Sequence, residues 1–367
     1  MIKRLENRLL LTPNDLTPSA RGFRVLGVFN PGAVRYKNKV ILLIRVAEKP
    51  EEKRKGTVPY PRFKKYKKQT RITVDHLASY IDPNIKDHRV YRLKNGLLRL
   101  PHISYLKKVT LSPEGLTVED IDHKHPIYGS EPWDEYGIED PRITQFGRSY
   151  FITYVSISHR MGVATSLMKT SNFKTYTRLG IIFPQENKDV VLFPEKIKGY
   201  YAALHRPRGH YEFREPAIQC AYSKDRIHWG GHQFVLEPGP PPNAWDYLRV
   251  GAGPPPIRTS KGWLCIYHGV RKKHKDDVIG AYSVGAFLTS LQNPCRILAR
   301  SPKPFMSATE PFEMQGYVSQ VVFPTGTVID KKDPDKILIY YGCADSCIAV
   351  VKYSLKDILN SLKRVKS

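Results

Sequence analysis

The chain has 367 residues, 41% of them hydrophobic, a composition that supports a globular protein with a sizeable core. Its 59 Lys and Arg residues against 34 Asp and Glu give a net charge of +25, which would attract nucleic acid, an anionic surface or a small anion such as phosphate. No apolar run approaches the length of a membrane-spanning helix or of a secretion-signal core, so we expect no membrane partner and a soluble, cytoplasmic protein.

A pattern typical of a β-hairpin recurs five times along the chain. Each copy has an extended segment with small or apolar residues, a turn containing Gly or Lys, and a hydrophobic strand rich in Tyr, Ile and Val. The five turns fall at residues 37–39, 147–148, 198–199, 260–262 and 330–333. The later copies lie roughly 50 to 70 residues apart, as expected when each unit is a propeller blade of about four short strands.

Helical periodicity is nearly absent before the carboxyl terminus. There, Ser354 can cap a helix in which Leu355, Ile358, Leu359 and Leu362 share one face. The sequence therefore predicts an all-β protein in which residues 1–367 form a single five-bladed β-propeller with a short C-terminal helix.

A basic stretch at about residues 50–70 interrupts the first repeat. Its cations are Lys53, Arg54, Lys55, Arg62, Lys64, Lys65, Lys67 and Lys68. No DNA- or RNA-binding signature accompanies them, so we interpret the stretch as a solvated insertion at the outer edge of one blade and expect no nucleic-acid partner.

The stretch at residues 136–144, Tyr-Gly-Ile-Glu-Asp-Pro-Arg-Ile-Thr, is the strongest candidate for chemistry. Gly137 permits a turn, and Pro141 disfavours helix at Asp140, which we expect to be extended. Asp140 would then lie at the entry of a hairpin as a fixed carboxylate. The alternative is that Glu139 and Asp140 are turn formers, with Arg142 as a surface ion pair.

The five cysteines do not suggest a disulfide framework or a metal site. They are scattered at residues 220, 265, 295, 343 and 347, and the last two lack a second ligand pair for zinc. We expect buried, reduced thiols, and no metal or cofactor.

In a propeller the ends of equivalent inner strands converge on the central axis, so polar residues far apart in sequence meet in one funnel. The groups expected there are carboxylates, amides, guanidinium groups, imidazoles and aromatic rings, which suit the recognition of a sugar. They are Asn30, Arg45, Glu48, Asp140, Arg142, Asn187, Lys188, Asp189, His205, Arg206, Tyr267, His268 and Asp345.

Six ordered motifs make a family resemblance specific. They are Gly-Ile-Glu-Asp-Pro-Arg-Ile-Thr at 137–144, Asn-Lys-Asp-Val-Val-Leu-Phe-Pro-Glu at 187–195, Leu-His-Arg-Pro at 204–207, Gly-Ala-Gly-Pro-Pro-Pro at 251–256, Gly-Trp-Leu-Cys-Ile-Tyr-His-Gly at 262–269 and Tyr-Tyr-Gly-Cys-Ala-Asp at 340–345. Together they resemble glycoside hydrolase family 130 over nearly the whole chain. The resemblance implies a five-bladed propeller, an inverting mechanism and a β-mannoside oligosaccharide as substrate.

The resemblance also implies roles for particular residues. Asp140 would be the general acid, acting on the glycosidic oxygen through a sugar hydroxyl, while Asn30 and Asp345 would hold the mannosyl unit. In the phosphorylases of this family inorganic phosphate attacks the sugar, whereas in its hydrolases a carboxylate activates water. His205, Arg206 and His268 could bind phosphate as a co-substrate.

Glu186 favours hydrolysis slightly, because the family's phosphorylases carry a phosphate-gripping arginine at the corresponding position. Glu212 and Glu215 are then the candidates to activate water, although both could be surface loop charges. His268 could equally be a hydrogen-bonded core residue. We therefore expect hydrolysis of β-1,2-mannosides, with phosphorolysis of β-mannosides to α-mannose 1-phosphate as the alternative.

Two non-catalytic hypotheses compete with an enzyme. The chain could be a propeller that binds an acidic glycan or nucleic acid through the basic stretch, or a sugar-binding module without turnover. The sequence leaves the linkage preference open, and a homo-oligomer is compatible with it.

Overall fold

The computed structural model describes residues 2–52, 54–67, 69–78, 87–93, 95–130, 132–209 and 213–365. These residues form an all-β protein of 26 strands with two α-helices, α1 (Pro311–Met314) and α2 (Leu355–Ser361), and a 3-10 helix at Pro13–Asp15. The predicted all-β class is confirmed. Among the described residues, no helix is long and apolar enough to cross a membrane.

The strands follow one another in short antiparallel hairpins. In chain order they are β1 (Glu6–Leu11), β2 (Phe23–Tyr36), β3 (Lys39–Pro50), β4 (Thr57–Tyr66), β5 (Gln69–Ala78), β6 (Tyr91–Arg92), β7 (Leu98–Arg99), β8 (Ile103–Leu111), β9 (Val118–Ile121), β10 (Gly137–Phe146), β11 (Ser149–Ser158), β12 (Gly162–Thr170), β13 (Thr177–Phe183), β14 (Asn187–Leu192), β15 (Tyr201–Pro207), β16 (Ile218–Ser223), β17 (Gly230–Leu236), β18 (Arg249–Ala252), β19 (Ile257–Thr259), β20 (Gly262–Arg271), β21 (Ala281–Thr289), β22 (Ile297–Arg300), β23 (Val322–Ile329), β24 (Lys336–Cys343), β25 (Cys347–Ser354) and β26 (Lys363–Arg364). Each of the five predicted turns falls between two of these strands, so the hairpin predictions are confirmed.

Antiparallel pairing joins most strands into groups of four. These groups are β2-β3-β8-β9, β10-β11-β12-β13, β14-β15-β16-β17, β18-β20-β21-β22 and β23-β24-β25-β1. A single parallel pair, Gly137 with Ser104, connects the first two groups into one sheet. The amino-terminal strand β1 completes the last group by pairing with β25, so the first strand of the chain lies beside one of the last.

Three of these groups carry a β-bulge at the same place, in the first strand. The register shifts between Phe29 and Gly32 in β2, between Glu139 and Arg142 in β10, and between Lys188 and Val191 in β14. Within these shifts Asn30, Asp140 and Asp189 have φ angles of 50°, 51° and 56°. Bulges re-aim side chains, and Asn and Asp tolerate the left-handed region better than most residues.

The predicted extended conformation of Asp140 is therefore wrong. A proline at position 141 biases the preceding residue away from helix. The bulge nevertheless places Asp140 in the left-handed region at a φ of 51°. Hydrogen bonds to its side chain and its carbonyl oxygen, described below, hold it there.

The basic stretch forms part of a two-stranded hairpin, β4 with β5. Lys53 and Lys68 lie outside the described residues. Phe63 of β4 is fully buried and its N–H donates to Glu135 O at 2.7 Å, while Tyr128 packs on its ring at 5.1 Å between centroids. The aromatic packing of Phe63 thus anchors the basic stretch on the rest of the protein. The lysine-rich sequence of the stretch did not predict this packing.

The predicted C-terminal helix is confirmed as α2, whose Ser354 Oγ accepts a hydrogen bond from Asp357 N. Sequence analysis missed the short helix α1. Its buried Glu313 accepts a hydrogen bond from Arg4 Nη1 at 2.7 Å. All five cysteines are free, and all but the half-buried Cys295 are buried, largely as expected.

Candidate active site

A cavity of about 710 Å³ gathers polar side chains from different sheets. Eight of the residues predicted to converge line it, and so does Glu139, the neighbour of Asp140. The eight are Asn30, Arg45, Asp140, Lys188, Asp189, Arg206, His268 and Asp345. They lie on β2, β3, β10, β14, β15 and β20 and in the turn between β24 and β25. The cavity is therefore a meeting point of residues that are up to 315 positions apart in the chain (345 − 30).

Asp140 is held by two donors through one carboxylate oxygen. Oδ1 accepts from Asn30 Nδ2 at 2.8 Å and from Arg45 Nη1 at 3.1 Å. Among the described residues no donor bonds Oδ2. The side chain is only 13% exposed and lines the cavity, so Asp140 presents one carboxylate oxygen there. That arrangement suits a group that gives a proton to a bound molecule.

Arg45 ties the two adjacent acids of the Glu-Asp pair together. Its Nη2 donates to Glu139 Oε1 at 2.5 Å and its Nε donates to Ser104 Oγ at 3.1 Å. Burial lowers the pKa of Arg45, but the carboxylates of Glu139 and Asp140 outweigh burial and raise it. The guanidinium is therefore a permanent cation beside Asp140.

Asp345 is a half-buried carboxylate at the tip of the β24–β25 turn, with a φ of 48°. Burial raises its pKa to about 6, helped by the negative charges of Asp140 and Glu139 and opposed by Arg45 and Arg89. It accepts no hydrogen bond from any described residue. A carboxylate that accepts no hydrogen bond from a described residue can accept hydrogen bonds from the hydroxyl groups of a sugar.

Asp189 anchors a second, cationic part of the cavity. Its Oδ2 accepts from Arg206 Nε at 2.7 Å and lies 3.6 Å from His268 Nε2, while its Oδ1 accepts from Arg142 Nη2 at 3.0 Å. Burial raises the pKa of Asp189, but Arg206, His268 and Arg142 outweigh burial and lower it well below its ordinary value. Asp189 is thus an ionised carboxylate whose two oxygens are occupied by protein groups.

Further cations join Arg206 along the cavity wall. They are Lys188, Arg208 and Arg160. Lys188 is half-buried and Arg208 exposed. Such a cluster can bind an anion by charge-assisted hydrogen bonds.

Two of the three histidine and arginine residues predicted to bind phosphate line the cavity, namely Arg206 and His268. His205 does not. Its Nδ1 lies 3.0 Å from Asn187 Nδ2, its Nε2 lies 3.0 Å from His232 Nδ1, and Phe183 stacks on its ring. Asn187 is also absent from the lining.

Both imidazoles are neutral near pH 7. Burial, together with the charges of Arg206 and Arg142, lowers the pKa of His268 to about 3 against the opposing charge of Asp189. Burial likewise lowers the pKa of His205 to about 3, with a smaller contribution from His232. Neither ring can therefore supply a positive charge to an anion.

Three predicted contacts with the substrate lie in the protein interior instead. Glu48 is fully buried, and its carboxylate accepts from Ser19 N at 2.8 Å and from Tyr105 Oη at 2.5 Å. Tyr267 is fully buried and donates to Asp246 Oδ2 at 2.9 Å. Arg142 is 1% exposed and is absent from the lining, so the alternative of a surface ion pair is wrong as well.

One of the two carboxylates predicted to activate water, Glu212, lies outside the described residues. Glu215 is exposed and does not line the cavity. Glu186 does line it, half-buried, and its carbonyl oxygen accepts from Arg208 N at 2.8 Å.

Sequence reasoning missed several lining residues. His159 and Arg160 follow the end of β11 just as Arg206 lies at the end of β15, a positional signal that was available. Arg89, whose Nη2 donates to Asp87 Oδ2 at 2.8 Å, and His102 come from the part of the chain between β5 and β8, which carries no copy of the repeat. No pattern in the sequence indicates these last two. Within the described ranges, no three His, Cys, Asp or Glu side chains are grouped so as to hold a metal ion.

The chain is similar to a known family and to known proteins over most of its length. The model of glycoside hydrolase family 130, described as beta-1,4-mannooligosaccharide phosphorylase, matches residues 114–364. A beta-1,2-mannobiose phosphorylase of Listeria innocua is 34% identical over 99% of this chain and 98% of its own length. A 1,2-beta-oligomannan phosphorylase of Thermoanaerobacter sp. is 35% identical over 72% of this chain and 88% of its own.

A solved structure extends the similarity to three dimensions. The beta-1,2-mannobiose phosphorylase from Listeria innocua, in complex with beta-1,2-mannobiose, superimposes with a TM-score of 0.84 at 34% identity. The match covers 96% of each chain. Sequence and structure thus agree on the same relative.

Proposed function

The chain belongs to glycoside hydrolase family 130, and from that premise we propose that this enzyme is a phosphorylase of β-1,2-linked mannosides. The observation that carries the proposal is the cavity, which combines the Asp140 carboxylate with the cationic cluster of Lys188, Arg206, Arg208 and Arg160. The two curated relatives described above, at 34% and 35% identity, are phosphorylases of β-1,2-linked mannosides. Incubations with mannosides of other linkages test this preference.

Phosphorolysis replaces hydrolysis as the favoured reaction. The preference for hydrolysis rested on Glu186, whose charge would repel phosphate. Four Lys and Arg side chains line the cavity with Glu186 and Asp189, so the cations of this part still outnumber its two carboxylates. In addition, Glu215 lies away from the cavity, which weakens the proposed activation of water by that carboxylate.

The proposed reaction is an inverting displacement at the anomeric carbon of the mannosyl unit. A phosphate oxygen forms the new bond to C1 as the bond from C1 to the glycosidic oxygen breaks. Asp140 provides the proton that the departing oxygen takes up, and family resemblance implies that a sugar hydroxyl relays it. The products are α-mannose 1-phosphate and the shortened mannoside.

We assign the mannosyl unit to Asn30, Arg45 and Asp345, which surround Asp140 in the cavity. Asp345 accepts no hydrogen bond from any described residue, so it can accept from sugar hydroxyls. Arg206, Lys188 and Arg208 would bind the phosphate, with Arg160 nearby. His268 would contribute as a neutral hydrogen-bonding group, because its pKa lies near 3.

We further propose that the five groups of four strands are the blades of a five-bladed β-propeller over residues 1–367. The pairing of β1 with β25 supports this, since the first strand of the chain completes the last group. The reaction needs inorganic phosphate as co-substrate and no metal or other cofactor. A non-catalytic role in binding glycan or nucleic acid through the basic stretch gains no support, because the polar groups converge on a cavity that no described residue of that stretch lines.

The test is incubation with β-1,2-mannobiose, with and without inorganic phosphate, followed by product separation. We expect mannose 1-phosphate only when phosphate is present, with free mannose as its co-product. Parallel incubations with β-1,3- and β-1,4-mannobiose should give slower turnover. Release of two mannose molecules in the absence of phosphate would identify a hydrolase and refute the proposal.

A further inference from the structure

We infer that Arg142 is a positioning residue that fixes the general acid and the phosphate-binding part of the cavity relative to each other. The inference rests on the proposed function, because it assigns both parts to one reaction. Arg142 does not touch the substrate: it is 1% exposed and does not line the cavity.

The hydrogen bonds of Arg142 reach three separate groups of strands. Nη1 donates to the carbonyl oxygen of Asp140 at 3.0 Å, within its own strand β10. Nη2 donates to Asp189 Oδ1 on β14 at 3.0 Å and to Ala252 O on β18 at 3.3 Å, and Nε donates to Gly253 O at 3.2 Å. One planar group thus connects β10, β14 and the end of β18.

Both aspartates held by Arg142 have unfavourable backbone conformations. Asp140 and Asp189 have φ angles of 51° and 56°, each within a β-bulge. Such conformations persist when the surrounding structure determines them. Because Arg142 bonds the peptide group of Asp140 itself, a shift of its guanidinium would move the backbone from which the acid projects.

The constraint continues beyond Asp189 to the cations. Asp189 Oδ2 accepts from Arg206 Nε, and Arg206 lines the cavity. A chain of contacts therefore runs from the Asp140 backbone through Arg142 and Asp189 to Arg206. Its loss should affect both the placement of the acid and the binding of phosphate.

Lysine cannot replace this arrangement fully. The guanidinium presents donors in a fixed plane, and three of its nitrogens here serve four oxygen acceptors, whereas an ammonium is a point charge on a flexible stem. Arg142→Lys keeps the charge beside Asp189 and should fold. Arg142→Gln removes the charge and leaves Asp189 with Arg206 as its main partner.

The test is steady-state kinetics of both variants with β-1,2-mannobiose and phosphate. We expect Arg142→Gln to lower kcat about 100-fold, the effect of misplacing a catalytic group by about 1 Å. Its KM for phosphate should rise about tenfold, a typical effect of losing a supporting contact. The KM for mannobiose should change much less, and Arg142→Lys should fall between the wild type and Arg142→Gln.

Arg4→Gln is the matched control for loss of stability alone. Arg4 also bonds a buried carboxylate, Glu313 Oε1 at 2.7 Å, and a carbonyl oxygen, that of Ser307 at 2.7 Å, but it does not line the cavity. We expect it to lower the Tm while kcat and both KM values remain those of the wild type. All assays are run below the Tm of every variant.

Wild-type kcat and phosphate KM in Arg142→Lys would overturn the inference, as would equal kinetic losses in Arg4→Gln. If Arg142→Gln does not fold, the kinetics of Arg142→Lys alone test whether Arg142 is a positioning residue. A wild-type enzyme that hydrolyses mannobiose without phosphate would refute the proposed function only. The fold-change in kcat of hydrolysis would then still test how Arg142 places Asp140.

Discussion

Asp345 occupies a place in the cavity that disfavours its charge. Its pKa of about 6 lies above the value of about 3.9 expected in the unfolded chain. Between these pH values the folded protein binds more protons at Asp345 than the unfolded chain does. The contribution of this residue to the free energy of unfolding therefore falls as the pH rises to 6, and the full penalty is present above pH 6.

We expect Asp345→Asn to raise the free energy of unfolding at pH 7.5 by up to about 3 kcal/mol, and by much less at pH 4. Solvent screening at the half-buried carboxylate reduces the gain. The same variant should bind mannobiose more weakly, because the charged acceptor is lost. Urea unfolding of both proteins at the two pH values measures the first effect, and calorimetry the second.

Asp335→Asn is a control of opposite sign. Lys356 N and Ser354 Oγ hydrogen bond Asp335 and lower its pKa, so this replacement should destabilise the protein at pH 7.5 and have little effect at low pH. An equal gain in stability for Asp345→Asn at pH 4 and pH 7.5 would contradict the assigned charge state.

Residue placement shows what the sequence could predict of the site. Within His205-Arg206 and Tyr267-His268 only the second residue lines the cavity. Successive residues of a strand face opposite sides of the sheet. The sequence places both residues of each pair at the end of a strand, but it does not show which of the two side chains faces the cavity. At the bulges of β2, β10 and β14, by contrast, two consecutive residues both line it: Phe29 with Asn30, Glu139 with Asp140, and Lys188 with Asp189.

Strand β18 affects the site through Gly251, which has no side chain where Asp189 and His268 approach the strand. A Cβ atom at Gly251 would lie 2.3 Å from Asp189 Oδ2 and 2.4 Å from His268 Cε1. Real Cβ atoms do not approach so closely, so both side chains would have to move. The packing of β18 against β14 and β20 therefore sets the geometry of the cationic part of the cavity.

We expect Gly251→Ala to raise the KM for phosphate at least tenfold and to destabilise the protein by about 1–3 kcal/mol. Phosphate titrations of the initial rate give the first quantity and urea unfolding gives the second. Gly230→Ala on β17 is the control, because a Cβ there meets nothing within 4 Å. Unchanged phosphate kinetics in Gly251→Ala would show that Asp189 and His268 do not shape this part of the cavity.

The elements themselves were largely predictable, but their irregularities were not. The repeated pattern of apolar run, turn and Tyr/Ile/Val-rich strand predicted the hairpins that contain β3, β11, β15, β20 and β24. It could not predict that Asp140 would have a left-handed backbone, because local proline bias favours an extended conformation and tertiary hydrogen bonds override it. The anchoring of the basic hairpin by Phe63 also depends on residues distant in sequence.

Across the whole molecule, the net charge of +25 and the position of the cavity act in the same direction. A positive field raises the local concentration of anions at a cleft that itself carries cations. The resemblance to glycoside hydrolase family 130 extends over nearly the full chain, so every group of strands that contributes to the cavity is covered by the 0.84 TM-score match. We propose that these groups of strands together bring phosphate and a proton donor to one mannosyl unit.

The most direct measurement is NMR spectroscopy of the first product formed from β-1,2-mannobiose and phosphate. An inverting attack by phosphate predicts α-mannose 1-phosphate as the initial product, and Asp140→Asn should abolish its formation while phosphate still binds. Initial formation of β-mannose 1-phosphate, of free mannose alone, or of product at the wild-type rate in Asp140→Asn would contradict the account.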